Sequence, residues 1–212
     1  MALEGWSIKR MQRNEIKDFI ERWHYSKSIN GCKSSYHYGL FDSDMNMQGA
    51  LFYGGMAMAN QWKKFADNEQ DVLELRRLCC VDETPKNAES FFIGATIRDL
   101  KKIWNGKVLV SYADKQYGHS GTIYKASNWE LVEESKGAKV IRWGDKLYHD
   151  KTIRTKYKPP KFHKDQGVLF GDTEPQADGV LKPYAKRLLK ALEDGEAHYT
   201  ETLGKYTFIY KL

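Results

Sequence analysis

Residues 72–114, VLELRRLCCVDETPKNAESFFIGATIRDLKKIWNGKVLVSYAD, decide the fold. The run VLELRRLCCV (72–81) is apolar apart from three charges and reads as a largely buried strand. Residues 88–104 carry Phe92, Ile93, Ile97, Leu100 and Ile103 at helical spacing, and Asn105-Gly106 closes that helix. KVLVSYAD (107–114) is a second buried strand. Strand, amphipathic helix, strand predicts neighbouring parallel strands joined by a right-handed crossover.

Working outward, Ile16, Phe19, Ile20 and Trp23 mark an amphipathic helix over 11–23. YHYGLFD (36–42) and MQGALFYGG (47–55), with DSDMN between them, predict a hairpin. Residues 56–71 read as a loop or a short helix. A short helical segment (118–128) leads into a strand (129–135). KVIRWGDKLYH (139–149) reads as a hairpin around Gly144-Asp145. Residues 149–167 are basic, contain proline and read as irregular. A basic amphipathic helix (182–195) and a terminal strand (204–212) complete the chain. A hairpin feeding a β-α-β unit gives an α/β class with a mixed sheet. The expected division is a catalytic domain over 1–148 and a basic C-terminal extension over 149–212, packed on the same domain.

The 212 residues are 41% hydrophobic, enough for a core, and carry a formal net charge of +6. A basic balance favours an anionic partner. Cys32, Cys79 and Cys80 form no CxxC pair, so neither a disulfide framework nor a cysteine zinc site is indicated, and the chain reads as reduced and intracellular. The N-terminal residues lack the apolar core of a signal peptide, and no run approaches the roughly 18 apolar residues of a membrane span. The expectation is a cytoplasmic protein with no membrane partner.

Several residues are candidates for chemistry. His24 and Tyr25 follow the first helix, and an imidazole titrating near neutrality is able to take a proton from an attacking amine. Glu74 and Arg76, two apart on one strand, predict a buried ion pair. Alternation then sends Arg77 to the other face, free to enter a cleft. Asp114 ends a strand, where ligands of open α/β sheets gather. Ser120, before the next helical segment, suits capping or phosphate contact. Lys151, Arg154, Lys156, Lys158, Lys161 and Lys164, interleaved with Tyr157 and Phe162, suit phosphate contact and base stacking. His24, His37, His119 and Asp114 are able to ligate iron or zinc, although no spacing compels it.

The order and pattern of about residues 10–135, with Tyr124-Lys125-Ala126-Ser127-Asn128-Trp129 in the last place, resemble the GNAT acyltransferase superfamily. The resemblance implies a donor at the N-terminus of helix 88–104, two strands that splay to admit it, and Tyr124 as a general acid. The chain departs from that superfamily's glycine-rich phosphate loop. Lys86-Asn87-Ala88-Glu89-Ser90 stands there, so backbone N–H groups lack the close approach that glycines give and Glu89 opposes an anion. Acyl-CoA and an aminoacyl species both stay open as donors, with Asn87, Glu89 and Ser90 at the donor loop.

A second resemblance is to the phage Mom adenine-modification family. It rests on His24-Tyr25-Ser26, Glu74-Leu75-Arg76-Arg77-Leu78, Pro85-Lys86-Asn87-Ala88-Glu89-Ser90, Ser111-Tyr112-Ala113-Asp114 and Gly118-His119-Ser120-Gly121-Thr122-Ile123-Tyr124-Lys125-Ala126. It implies transfer of a carbamoylmethyl-type group to the N6 amine of adenine in DNA, protecting phage DNA from host restriction. His24, Tyr25, Arg77, Asp114 and Tyr124 are then the catalytic set. Lys151, Arg154, Lys156 and Lys158 are the DNA contacts. The competing readings are an acetyl-CoA-dependent N-acetyltransferase, against which the altered loop argues, and a non-catalytic nucleic-acid binder, which would not need the polar cluster at the sheet's centre.

Overall fold

The structure is a computed structural model that describes residues 3–158, 161–163, 168–170 and 178–212. In chain order its elements are β1 (Ser7–Met11), α1 (Arg13–Trp23), β2 (Tyr36–Phe41), β3 (Met47–Gly54), β4 (Val72–Cys80), α2 (Ala88–Leu100), β5 (Val108–Asp114), α3 (Thr122–Lys125) and β6 (Glu130–Glu134). They continue with β7 (Lys139–Trp143), β8 (Lys146–His149), β9 (Lys156–Tyr157), β10 (Lys161–His163), β11 (Val168–Phe170), β12 (Val180–Leu181), α4 (Pro183–Glu193), β13 (Ala197–Glu201) and β14 (Lys205–Lys211).

The chain forms two compact units. The first, Met1–Ser135 with Lys205–Leu212, holds a seven-stranded mixed sheet in the order β1-β2-β3-β4-β5-β14-β6. β4 and β5 run parallel and α2 connects them, as the sequence predicts; the other pairs in this sheet are antiparallel. α2 buries Phe92, Ile93, Ile97 and Leu100 against Leu73, Leu75, Tyr38 and Tyr53. Burial of side chains of this size contributes about 1.5–3 kcal/mol each. Ile103 lies beyond the end of α2 and is exposed, because the helix stops at Leu100 and tight turns follow. α1 packs Ile16 and Ile20 with Ala50, Phe52 and Cys79 in a second apolar cluster. The Glu15 carboxylate accepts the Gln12 N–H at the start of α1.

Three elements depart from the sequence reading. β1 pairs with β2 although its burial hardly alternates. α3 is a single turn, Thr122–Lys125. β14 is no appendage: it inserts between β5 and β6, so the last strand in sequence completes the main sheet. Phe208 on β14 explains Gly121, at φ +75°, because an added Cβ there would lie 2.2 Å from the Phe208 ring.

The second unit, Lys136–Gly204, contains the three-stranded sheet β13-β7-β8, with Leu188 and Ala191 of α4 packed on Ile141 and Ala197. Pro183 opens α4, where a missing N–H costs nothing. β9 pairs with β12, and β10 with β11. The unit limits fall at 135/136 and 204/205, whereas the sequence reading put the division at 148/149. The stretch read as irregular contains a 3-10 turn (Asp150–Ile153), β9 and β10; Lys164 lies outside the described residues, as do the side chains of Lys161 and Phe162.

Candidate active site

β4 and β5 pair only through Val72–Val108, Leu73–Leu109 and Glu74–Val110. Beyond Glu74 they separate, which is the splay that the GNAT resemblance implies. The gap is a cleft of about 440 Å³, all of whose walls belong to the first unit. His24, Tyr25, Arg77, Glu89, Ser111, His119 and Tyr124 all line it. A polar cleft at the carboxyl ends of two diverging parallel strands is where this class of sheet holds a ligand.

His24 is 5% exposed. Its Nδ1 accepts the Ser26 N–H at 3.0 Å and lies 2.8 Å from Ser26 Oγ. A backbone N–H pointing at Nδ1 requires that nitrogen to be unprotonated, so the neutral ring carries its proton on Nε2. Burial, with the charge of Arg77 and neighbouring His119 and Lys27, lowers its pKa to about 4. The ring is therefore a neutral N–H donor near pH 7. The proton-accepting role read from the sequence does not fit this tautomer.

Tyr25 stacks on His24 at 4.2 Å between ring centroids and on Tyr117 at 4.2 Å, with His119 edge-on at 5.4 Å. Burial and then the charge of Asp114 raise its pKa, so it stays a neutral phenol.

Arg76 and Arg77 do not take opposite faces. Phe52 pairs with Arg77 and Tyr53 with Leu75, so Arg76 is the extra residue of a β-bulge, and alternation is reset there. Both guanidinium groups reach the segment after α1: Arg76 Nη2 to Cys32 Sγ at 3.6 Å, Arg77 Nε to Ser28 O at 3.4 Å. The expected Arg76–Glu74 pair is present at 3.4 Å, with both side chains 9% exposed. Arg77 Nη1 donates to Arg76 O at 2.7 Å, and among the described residues Arg77 makes no ion pair, so its charge is left for the cleft.

Tyr124 is buried, stacked on Phe208 with ring centroids 5.1 Å apart. Ser111 Oγ lies 2.8 Å from its hydroxyl, and burial pushes the phenol up to about 12. The Ser111 hydroxyl has one proton and also faces the Leu75 carbonyl at 3.2 Å; with that proton on the carbonyl, the phenol donates to Ser111 Oγ.

Asp114 does not line the cleft. Its carboxylate accepts the Gln116 N–H at 3.0 Å, capping the 3-10 turn Lys115–Tyr117, and pairs with Lys205 Nζ at 2.9 Å. Asn87 and Ser90 line a second hollow of about 400 Å³ beside the N-terminus of α2. Asn87 takes a left-handed conformation at φ 77° as the helix N-cap, and Ser90 Oγ donates to Asn87 O. Glu89 lines both spaces, has no hydrogen-bond or ion-pair partner among the described residues, and is held above the usual carboxylate range by burial. Ser120 Oγ lies 2.8 Å from Thr122 Oγ1. The four metal-ligand candidates do not converge: among the described residues no three His, Cys, Asp or Glu side chains form a ligand group. No described helix is long and apolar enough to cross a membrane.

A model of the Mom protein family matches residues 5–172. The chain belongs to the Mom family. The match contains every residue that lines the cleft. A Mom relative, methylcarbamoylase mom of Escherichia phage Mu, is 28% identical over 158 residues, which is 70% of this chain and 64% of the relative. The similarity thus spans less than two thirds of that relative's length. Among solved structures, Arabidopsis thaliana NAA60 in complex with acetyl-CoA has a TM-score of 0.49 at 8% identity over 98% of both chains. Spermidine N-acetyltransferase from Vibrio cholerae, in complex with CoA and spermine, has a TM-score of 0.47 at 7% identity over 98% of this chain and 95% of that one.

Sequence reasoning singled out neither Ser111, which lines the cleft, nor Tyr117, whose ring lies against that of the cleft residue Tyr25. Tyr117-Gly118-His119, two rings around a glycine just past the carboxyl end of β5, was the available signal.

Proposed function

We propose that this chain transfers a small group, of the carbamoylmethyl type, to the N6 amine of adenine in DNA. The observation that carries the reading is the convergence of the Mom-like blocks on one cleft: His24-Tyr25, Arg77, and Ser111 with Tyr124 come from separate elements and line the same space. In this reading the adenine amine attacks the donor in the cleft. The bond between the transferred carbon and the donor's leaving group breaks as the N6–carbon bond forms. Arg77 and the His24 N–H stabilise negative charge that develops on the donor, Tyr124 supplies a proton to the leaving group, and the proton lost by the amine passes to solvent.

The donor lies beside the N-terminus of α2, with Asn87 and Ser90. Asp82 and Glu89 bring two carboxylates to that hollow, against one lysine, Lys86. Such a lining does not favour a pyrophosphate, so free coenzyme A is expected to bind weakly. Lys151, Arg154, Lys156 and Lys158 contact the phosphates of DNA, and the biological outcome is protection of phage DNA in the bacterial cytoplasm.

Mass spectrometry of nucleosides tests the reading. DNA from phage-infected cells that express the protein gains an adenine adduct, and DNA from cells expressing Tyr124→Phe does not. Abundant, folded wild-type protein that leaves DNA unmodified under these conditions overturns it.

A further inference from the structure

We infer that Tyr25 and Tyr117 form a stacking platform for a nucleobase turned out of the duplex, and that the Glu89 carboxylate reads the base's exocyclic amine. The inference rests on the adenine-modification reading; it adds Tyr117, which that reading does not use, and gives Tyr25 and Glu89 a contact with the base.

Tyr25 and Tyr117 are 43% and 53% exposed, although their rings lie against each other at 4.2 Å with a 34° tilt. Tyr25 lines the cleft, and Tyr117 stands at its rim, next to Gly118 and His119, which line it. His119 is exposed and meets Tyr25 edge-on at 78°. The chain thus leaves aromatic surface in water at the mouth of a polar cleft. Exposed aromatic rings give up burial that would stabilise the fold, and they suit a flat aromatic ligand. A base must leave its stack before an enzyme reaches its exocyclic atom, and the extruded base is held between aromatic or apolar walls.

Stacking does not choose between bases, since every base has a π-face. Choice needs a polar group in the cleft that no other part of the protein occupies. Glu89 is half-buried, lines the cleft and has no partner among the described residues. It lies near enough to His119 and Tyr124 for their charges to interact. An ionised carboxylate only accepts hydrogen bonds. It therefore accepts from the N6 amine of adenine and repels the carbonyl oxygen that guanine or hypoxanthine carries at the same place.

The test measures binding of the full chain to two duplexes by fluorescence anisotropy. One duplex is fully paired. The other carries an adenine opposite an abasic site, so the base leaves the stack at little cost. Wild type prefers the second. Tyr117→Ala loses affinity for it by about 5–150-fold, the range of one base–aromatic stack, and keeps its affinity for paired DNA. Tyr117→Phe keeps the ring and recovers most of the preference. With hypoxanthine in place of the unpaired adenine, wild type binds more weakly, and Glu89→Gln, whose amide both donates and accepts, no longer tells the two apart. A Tyr117→Ala protein that still prefers the unpaired adenine overturns the platform, and a Glu89→Gln protein that still discriminates overturns the amine contact. Wild type that binds both duplexes equally also overturns the platform while leaving the adenine reading standing. Wild type that binds no DNA removes that reading, and this inference with it.

Discussion

Ser111 Oγ lies 2.8 Å from Tyr124 Oη and 3.2 Å from the carbonyl of Leu75, so one serine ties the diverging strand β4 to the phenol at the back of the cleft. Tyr124→Phe keeps the packing on Phe208 and removes the only proton the phenol has to give. The expected loss in adduct formation is roughly 10²–10⁴-fold, with the fold unchanged by circular dichroism. The phenol is pushed up to about 12, so it stays protonated through the working range. Its folded pKa is raised, so its contribution to stability is complete below pH 10 and is lost between pH 10 and about 12. Denaturant titrations of wild type and Tyr124→Phe across that interval check the sign, because only wild type loses this contribution.

His24 gives the opposite sign. Its pKa falls to about 4 in the folded chain, mainly through burial, against 6.5 for a free imidazole. The unfolded chain binds the proton more readily, so stability is lost as pH falls from 6.5 toward 4, by up to about 3 kcal/mol from this group. Urea unfolding at pH 7 and pH 5 is expected to show a smaller drop for His24→Gln than for wild type. The rate profile of the wild-type enzyme should carry no inflection from His24 near pH 6.5. A histidine acting as base would produce one.

The neighbouring arginines separate stability from activity. Arg76 is buried against Glu74, and burial already raises the Glu74 pKa. Arg76→Met leaves a buried carboxylate unpaired and is expected to cost about 3–5 kcal/mol. Among the described residues Arg77 is held by the carbonyls of Ser28 and Arg76. Arg77→Met is expected to cost about 1 kcal/mol or less in stability, yet to abolish most of the adduct. Thermal melts beside nucleoside analysis distinguish the two. Equal melting losses for both variants would show that Arg77 is structural.

Periodicity made the centre of the fold legible. Phe92, Ile93, Ile97 and Leu100 recur at helical spacing between two apolar runs, and such a unit has one favoured handedness. β14 was legible as a strand but not in its place, because the pairing of Phe208 with both Ser111 and Leu131 is set by long-range contacts. The short blocks around His24, Arg77 and Tyr124 pointed to residues that line one cleft. The bulge at Arg76 was not, since a single inserted residue leaves no mark on hydrophobic alternation yet redirects the side chain at 77. The contact of Tyr117 with Tyr25 is hidden for a similar reason: it joins residues 92 positions apart by their numbering.

Asp114 was read as a catalytic carboxylate, and its geometry recommends a positioning role. It caps the turn that carries Tyr117 and holds Lys205 of β14. Asp114→Ala removes the cap, costs about 0.5–2 kcal/mol, and is expected to loosen Tyr117 and lower the adduct yield. Asp114→Asn keeps an oxygen to accept the Gln116 N–H and is expected to retain more activity than Ala. If Asn and Ala variants are equally inactive while folded, the carboxylate charge itself takes part in the chemistry.

The cations of the second unit are exposed but not equivalent. Lys151, Arg154, Lys156 and Lys158 all face solvent, and Arg154 is engaged by the Asp150 carboxylate four positions before it. A cation already paired neutralises a phosphate less effectively, because the contact must displace the carboxylate. Charge reversal at Lys151 or Lys156 is therefore expected to weaken binding to duplex DNA more than reversal at Arg154. Each phosphate contact removed lowers the slope of log affinity against log salt by about 0.9. The loss should be the same for unrelated sequences, since phosphates carry no sequence information. These residues belong to the unit Lys136–Gly204, and the residues lining the cleft belong to the other. Reversal at Lys151 and Lys156 should accordingly leave untouched the preference for an unpaired adenine over a paired one, while total affinity falls. Anisotropy titrations at several salt concentrations decide the matter: an unchanged salt slope in the Lys151→Glu, Lys156→Glu protein would show that DNA is held elsewhere on the molecule.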